Sequence, residues 1–319
     1  MAQKIAASDA SYLLGLDGGG TKTEAVLANR NGRVIARAFA GPSNPLRTGY
    51  ARAWFALSEA GDRVLAKAKI HAEHVRAVCA GLGGAGRQAV VHRVTAFLEG
   101  SYPNAAIRVT TDLEVALEAA FGSAEGMILL AGTGSAAFGR DAAGRTARAG
   151  GLGPWISDEG GAFDIGRRAV RAVALSKEHR GPATALSDRV FEVHRCTHWD
   201  SLADQISKNP DDVFPKTFPL VAELADTGDA VSREIMIGAA AALADLAAAV
   251  SHELGWRGRD FLLAKMGGVH GRSKFLDNAI EAELDRRVPR ACVVGAEVSP
   301  AEAAVRMAER LIDAEGNAA

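Results

Sequence analysis

Residues 12–24 read Tyr-Leu-Leu-Gly-Leu-Asp-Gly-Gly-Gly-Thr-Lys-Thr-Glu, a short apolar run that stops on an Asp and then on three consecutive glycines. An apolar run bounded by glycine reads as a buried strand. Three residues without a Cβ let backbone N–H groups converge on an anion, and phosphate is the natural guest. The chain beyond the glycines decides which kind of loop this is. Both common nucleotide fingerprints would open a helix there, but residues 23–28 continue extended into the hairpin signal Asn31-Gly32 and then Val34-Ile35-Ala36. The glycines therefore read as the turn of a hairpin. Gly15, Gly18 and Gly20 do not make a Gly-x-Gly-x-x-Gly, and Thr21 stands where a Walker loop needs Lys.

A chain of 319 residues holds one large or two ordinary domains, and 48% hydrophobic residues with 37 Lys+Arg against 38 Asp+Glu fit a globular protein. That balance leaves no electrostatic footprint for nucleic acid. Cys79, Cys196 and Cys292 are far apart, without the paired spacing of a zinc or iron-sulfur site, so a reducing compartment is expected. Residues 1–11 lack the apolar core of a signal peptide, and the apolar stretches elsewhere are broken by Asp or Gly short of a membrane span. The expectation is a cytoplasmic protein with no membrane partner.

Along the chain, a further strand at Ala38-Phe39-Ala40 precedes Gly41-Pro42-Ser43-Asn44-Pro45, where two prolines force a loop. A helix is expected over 53–70 and a strand over 75–80 that runs into the glycine group at 81–86. A second helix over 88–100 and a strand over 107–111 follow, ending at Asp112. This order is that of an α/β protein with a mixed sheet. The opening then recurs, since Met127-Ile128-Leu129-Leu130-Ala131 runs into Gly132-Thr133-Gly134-Ser135 and a second strand. Gly132 lies 114 residues after Gly18, about one domain. Two such domains could close on one polyphosphate. A glycine-rich stretch at 150–161 leads into a helix over 162–176, while 177–219, with Pro182, Pro210, Pro215 and Pro219, reads as short helices and loops. A core helix carrying Asp245 is expected over 232–254, and Phe261 to Val269 is a third strand that enters glycines, Gly267-Gly268. Ser299-Pro300-Ala301-Glu302 supplies an N-cap, a first-turn Pro and a capping-box Glu for a closing helix.

Asp-Gly-Gly-Gly-Thr-Lys-Thr, Thr111-Asp112, Gly132-Thr133-Gly134-Ser135, a Gly-x-Gly before Asp158-Glu159-Gly160, and Gly267-Gly268 occur here in one order. In that order they resemble the N-acetylglucosamine kinase-like proteins of the BadF/BadG/BcrA/BcrD ATPase family, within the actin-fold sugar kinase superfamily, over nearly the whole chain. The resemblance implies an α/β protein of two ribonuclease-H-like (actin/hexokinase-type ATPase) domains with mixed sheets and ATP and Mg2+ in a cleft between them. The domains expected are 1–112, with the closing helix 300–319 packed back on it, and 113–299, with a helical insertion around 177–230. The resemblance also implies that Gly18, Gly19, Gly20, Thr21 and Lys22 form a first phosphate loop, with Asp17 holding magnesium through water. Gly132, Thr133, Gly134 and Ser135 would form a second, and Gly267 and Gly268 the adenosine-side glycines. Asp112 would be the catalytic base, and Asn44, Gly84, Ser135, Asp158 and Glu159 would contact the sugar. Backbone N–H groups and a cation stabilise spreading phosphoryl charge, and a carboxylate accepts the proton of an attacking alcohol.

Other origins compete for several of these residues. Thr111-Asp112-Leu113-Glu114 is also a capping-box pattern, Asn44 sits where a turn residue would, and Asp158 and Glu159 could cap the helix that follows. Leu152 and Ala136 stand where related sugar kinases carry Trp and Asn. The function expected is an ATP-dependent kinase acting on a hydroxyl of an amino sugar or related hexose, N-acetylglucosamine or glucosamine among them. A small-molecule sugar is the partner, and a homodimer is compatible with the reading. The alternatives are an activator-type ATPase of the same family, against which the isolated cysteines argue, and a catalytically silent sugar or nucleotide sensor. A repressor would need a DNA-binding module, and eleven residues ahead of the first strand leave no room for one.

Overall fold

The computed structural model describes residues 11–316. The chain forms two compact units, one made of the residues up to Ser123 together with those from Ala296 onward, the other of Ala124–Gly295. Each is built on a five-stranded sheet.

In the first unit the strands are β1 (Tyr12–Gly18), β2 (Thr23–Asn29), β3 (Val34–Ala40), β4 (Val75–Leu82) and β5 (Ala106–Thr111), in the spatial order β3-β2-β1-β4-β5. β1 to β3 are antiparallel, whereas β4 and β5 run parallel to β1. Val34-Ile35-Ala36 and Ala38-Phe39-Ala40, read separately from the sequence, belong to the one strand β3. The helices are α1 (Pro45–Thr48), α2 (Tyr50–Ala68), α3 (Gln88–Ser101), α4 (Asp112–Phe121) and, from the far end of the chain, α11 (Pro300–Gly316).

Side-chain alternation along β1 sorts its residues between two cores. Leu14 and Leu16 pack with Leu57 and Val64 of α2 and Val90, Val94 and Leu98 of α3. Leu13 faces the other way and packs with Val115 of α4 and Ala301, Ala304 and Val305 of α11. Gly15 shares that second face, where a Cβ would stand 2.1 Å from the Ala301 carbonyl oxygen. Its place in the glycine pattern is thus set by the close approach of α11. The expected capping box forms, with Ser299 Oγ accepting from Glu302 N at 3.3 Å and Ser299 N donating to Glu302 Oε2 at 3.2 Å.

The second unit repeats the topology. Its strands are β6 (Gly126–Ala131), β7 (Ser135–Arg140), β8 (Thr146–Gly150), β9 (Phe261–Met266) and β10 (Ala291–Val294), ordered β10-β9-β6-β7-β8. The β6–β7 hairpin is the counterpart of β1–β2, and β9 and β10 are the parallel strands on its other side. Helices α5 (Ala162–Lys177), α6 (Leu186–Val193), α7 (Trp199–Lys208), α8 (Pro210–Thr227), α9 (Ala230–Glu253) and α10 (Lys274–Arg287) complete it.

One expectation fails here. Residues 210–219, the end of the stretch read as short helices and loops because of its prolines, instead open the continuous 18-residue helix α8 (Pro210–Thr227), with Pro215 and Pro219 inside it. The gain that offsets two missing N–H bonds is burial, since Val213, Phe214, Phe218, Leu220, Val221 and Leu224 all enter the core. By length and composition α9 could span a membrane. Its Val231, Met236, Ala240, Leu243 and Ala247 are instead part of the same core.

Candidate active site

In the first unit the glycines occupy the turn between β1 and β2, as their sequence context requires. Gly19 N donates to Lys22 O at 3.0 Å and closes the turn. The turn is also held from outside, because the backbone N–H groups of Ser43 and Asn44 both donate to Gly19 O at 3.2 Å and Gly83 N donates to Gly18 O at 2.8 Å. Thr23 Oγ1 donates to Ser43 Oγ at 2.8 Å. The hairpin turn, the 41–44 loop and the glycines after β4 therefore form one hydrogen-bonded assembly. Thr21 and Lys22 are exposed on it.

Asp17, at the end of β1, has its carboxyl pushed up to about 7, first by burial and then by the negative charges of Asp112 and Glu24, with Lys22 acting in the opposite sense. Asp17 and Asp112 thus share one electrostatic environment, although β1 and α4 lie far apart in the sequence. Asp112 is the first residue of α4, and Thr111 caps that helix by accepting from Glu114 N at 3.2 Å. The capping box is only half made, since Glu114 turns its carboxylate to Thr110 and Arg108. Asp112 Oδ1 accepts from Leu113 N at 3.1 Å. Its Oδ2 faces Gly83, where a Cβ would stand 3.4 Å from that oxygen and 2.8 Å from Asn44 Nδ2.

Asn44 is a turn residue and more. Its Oδ1 accepts from Leu46 N at 3.0 Å and caps α1, which leaves the amide N–H groups as the part of the side chain that can serve a ligand. Gly84 has φ of +89°, a conformation that favours glycine, and Leu46 and Asn44 lie against it. Asp112, Asn44, Gly83 and Gly84 are therefore brought together in the first unit, beside the glycine turn. Gly83 and Ser43 were missed from the sequence. Their signals were present, in the 81–86 glycine group and in Gly-Pro-Ser-Asn-Pro, but nothing local said that the two segments meet.

In the second unit Gly132, Thr133 and Gly134 form the β6–β7 turn and Ser135 opens β7. The first N–H groups of α5 donate to this turn, Ala162 N to Gly132 O at 2.9 Å and Phe163 N to Thr133 O at 3.0 Å. Ser135 Oγ donates to the Glu159 carbonyl at 2.6 Å, and the Glu159 side chain is exposed. Asp158 is buried, accepts from Gly153 N at 3.1 Å and packs its carboxylate against Gly134. Asp164 supports the same turn by accepting from Gly160 N at 3.1 Å, with Arg167 and Arg168 paired to it. Gly267 packs on the carbonyl of Ala131 at the end of β6, and Val269 N donates to that carbonyl at 2.9 Å, so the third glycine element lies beside the β6–β7 turn. A Cβ on Gly268 would meet nothing within 4 Å.

The two departures noted in the sequence are structurally unlike. Ala136 is buried, with its Cβ against Gly151, and offers no polar group to a ligand. Leu152 is exposed, as are its neighbours Trp155 and Ile156, and the Trp155 ring rests edge-on against Phe163 at 5.2 Å. Among the described residues no group of three His, Cys, Asp or Glu side chains could by itself hold a metal ion.

The family model for the BadF/BadG/BcrA/BcrD ATPases matches residues 14–308. The chain belongs to that family. ATP use comes with membership. Among its relatives, the N-acetylmuramic acid/N-acetylglucosamine kinase of Clostridium acetobutylicum is 29% identical over 306 residues, covering 95% of this chain and 99% of the relative. The N-acetyl-D-glucosamine kinase of Dictyostelium discoideum is 30% identical over 310 residues, covering 92% and 97%. A solved structure from Chromobacterium violaceum, of a protein assigned as an N-acetylglucosamine kinase, is 25% identical with a TM-score of 0.76, covering 93% of this chain and 98% of that one. The family member described here therefore has the two-sheet architecture of the actin/hexokinase-type sugar kinases.

Proposed function

We propose that this protein is an ATP-dependent kinase that phosphorylates a hydroxyl of an amino sugar, with N-acetylglucosamine, N-acetylmuramic acid and glucosamine as the substrates to try first. The observation that carries the reading is that Asp112 Oδ2 and Asn44 Nδ2 both lie against Gly83, 3.4 and 2.8 Å from the place where a Cβ on it would stand, and that Gly83 N donates to Gly18 O of the glycine turn. A carboxylate oxygen and an amide donor beside a residue without a side chain suit a sugar hydroxyl, which needs both an acceptor and a donor.

In the proposed reaction the hydroxyl oxygen bonds to the γ-phosphorus as the bond from that phosphorus to the β–γ bridging oxygen breaks. Asp112 Oδ2 accepts the hydroxyl proton, and ADP leaves with the electron pair. The Leu113 N–H holds the other carboxylate oxygen and fixes the direction in which the base faces. In this reading Gly18, Gly19, Gly20, Thr21 and Lys22 make up one phosphate loop, Gly132, Thr133, Gly134 and Ser135 make up another, and Gly267 and Gly268 serve the adenosine side. Asp158, Glu159, Ser135 and Gly84 are the further sugar-side residues of this reading. Asp17 fits a hydrated magnesium ion, because a carboxylate whose charge is opposed first by burial and then by Asp112 and Glu24 gains from a neighbouring cation. Bound there, the ion would neutralise phosphate charge.

The test is ADP release with Mg-ATP across glucosamine, N-acetylglucosamine, N-acetylmannosamine, N-acetylmuramic acid, glucose and no sugar, run beside Asp112→Asn. Sugar-dependent turnover that the variant loses is the expected result. ATP binding without turnover on any sugar would favour the sensor reading instead.

A further inference from the structure

Lys22 is the cation that the glycine turn itself supplies, but its ammonium lies over the Phe39 ring of β3, 5.3 Å from the centroid. A second cation lies against the turn. Arg47, in α1, lays its guanidinium along Gly20, with Nη1, Cδ and Cζ at 3.0, 3.5 and 3.8 Å from the place where a Cβ on Gly20 would stand. The missing side chain of the third glycine is what lets this guanidinium approach the backbone of the phosphate loop.

The approach is built into the fold. α1 begins at Asn44, whose backbone N–H, like that of Ser43, donates to Gly19 O, and Arg47 N donates to Asn44 O at 3.1 Å. The segment that carries Arg47 is therefore hydrogen-bonded to the loop that Arg47 lies on. The same turn of chain lays the Asn44 amide against Gly83, where Asp112 Oδ2 also lies. One short segment thus places a donor on the sugar side and a guanidinium on the phosphate side. A guanidinium is planar, always charged and weakly hydrated, with paired N–H groups spaced for two phosphate oxygens.

We propose that Arg47 is a further catalytic residue, which binds the γ-phosphoryl group of ATP and stabilises its charge during transfer to the sugar. The inference rests on the kinase reading above. As the oxygen–phosphorus bond to the sugar forms and the bond to the bridging oxygen breaks, Arg47 donates to the non-bridging oxygens, where charge is spread in the transition state. The proton goes to Asp112 as before, and Arg47 keeps its own.

The experiment compares the intact protein with Arg47→Ala and Arg47→Lys in two assays. Calorimetric titration with ATP and with ADP should give about 10-fold weaker ATP binding in Arg47→Ala and ADP binding within about two-fold of the parent, because only ATP has the phosphoryl group that the guanidinium touches. Turnover at saturating sugar should fall about 100-fold with a sugar KM within about three-fold, and added guanidinium ion should restore part of it. Arg47→Lys should keep most of the ATP affinity but recover little turnover, since an ammonium cannot match the fork. Equal loss of ATP and ADP affinity, or no loss of either, overturns the proposal. So does a defect confined to sugar KM, which would put the guanidinium on the sugar. The titration needs no turnover: a parent protein that binds ATP yet phosphorylates no sugar removes the kinase reading, while the ratio of ATP to ADP affinities still decides whether Arg47 meets the γ-phosphate.

Discussion

At the scale of single residues, burial first and the charges of Asp112 and Glu24 after it make an ionised Asp17 costly, and the folded state holds a proton on it up to about pH 7. The sign for stability follows. The unfolded chain releases this proton near 3.8 and the folded one near 7, so the favourable contribution is complete below about pH 4 and is lost as pH rises through 7. Asp17→Asn, which mimics the protonated form, should unfold like the parent near pH 4. At pH 8, without divalent cation, it should be roughly 2–4 kcal/mol more stable, the lower figure allowing for partial exposure of the carboxylate. Thermal melts at the two pH values test this, and equal stability at pH 8 would refute it. Asp112→Asn should lower kcat by about 10²–10⁴ and leave ATP affinity nearly unchanged, measured by turnover and titration. Gly83→Ala places a methyl group at 2.8 Å from Asn44 Nδ2 and 3.4 Å from Asp112 Oδ2. It should raise the sugar KM by about 10-fold or more while ATP affinity holds, a split that steady-state kinetics would expose.

At the scale of elements, α11 is the part of the first unit most dependent on close packing. Gly15→Ala drives a methyl group into the Ala301 carbonyl and should cost more than about 3 kcal/mol in urea unfolding, because the helix backbone must move away from β1. Arg37 of β3 ties the same helix down, donating to Glu24 Oε1 at 3.0 Å and to Ser299 Oγ at 3.2 Å and pairing with Glu302. Glu24 is buried, so Arg37→Met should cost about 2 kcal/mol by leaving that carboxylate unpaired, again read from urea unfolding. The elements that were legible in the sequence share one property, that their signal is local. Each strand that runs into glycines could be read from an apolar run and its stop, and α11 from a cap, a Pro and a Glu within four residues. α8 was not legible, because its prolines argue against a helix and only burial of its apolar face outweighs them. In the candidate site, Asp112 and Asn44 were reached through motif order, whereas Gly83, Ser43 and Arg47 depend on the 41–47 segment meeting the β1–β2 turn and the end of β4. No spacing within either stretch announces that meeting.

At the scale of the whole molecule, the two sheets share a strand order, with an antiparallel hairpin turn of glycines at the centre of each. The recurrence of a glycine turn after 114 residues was therefore the trace of a duplicated architecture, visible because turns need particular residues while strands tolerate many. The second unit is continuous in the chain and has its own core. Residues 124–295 expressed alone should give a cooperative thermal melt, whereas residues 1–123 alone should not, unless residues 296–319 are joined to them; melts of the three fragments decide this. During synthesis on the ribosome the consequence is an inversion of order. Leu13, Val26, Ala28, Ala77 and Cys79 are made early but are covered in part by Ala301, Ala304, Val305 and Ala308, which are made late. The part of this face of the first sheet that α11 covers must wait, apolar and exposed, while the whole second unit is translated and is free to fold. The half of the protein that emerges first is thus the half that is finished last, and its exposed face is where a nascent-chain chaperone has reason to bind.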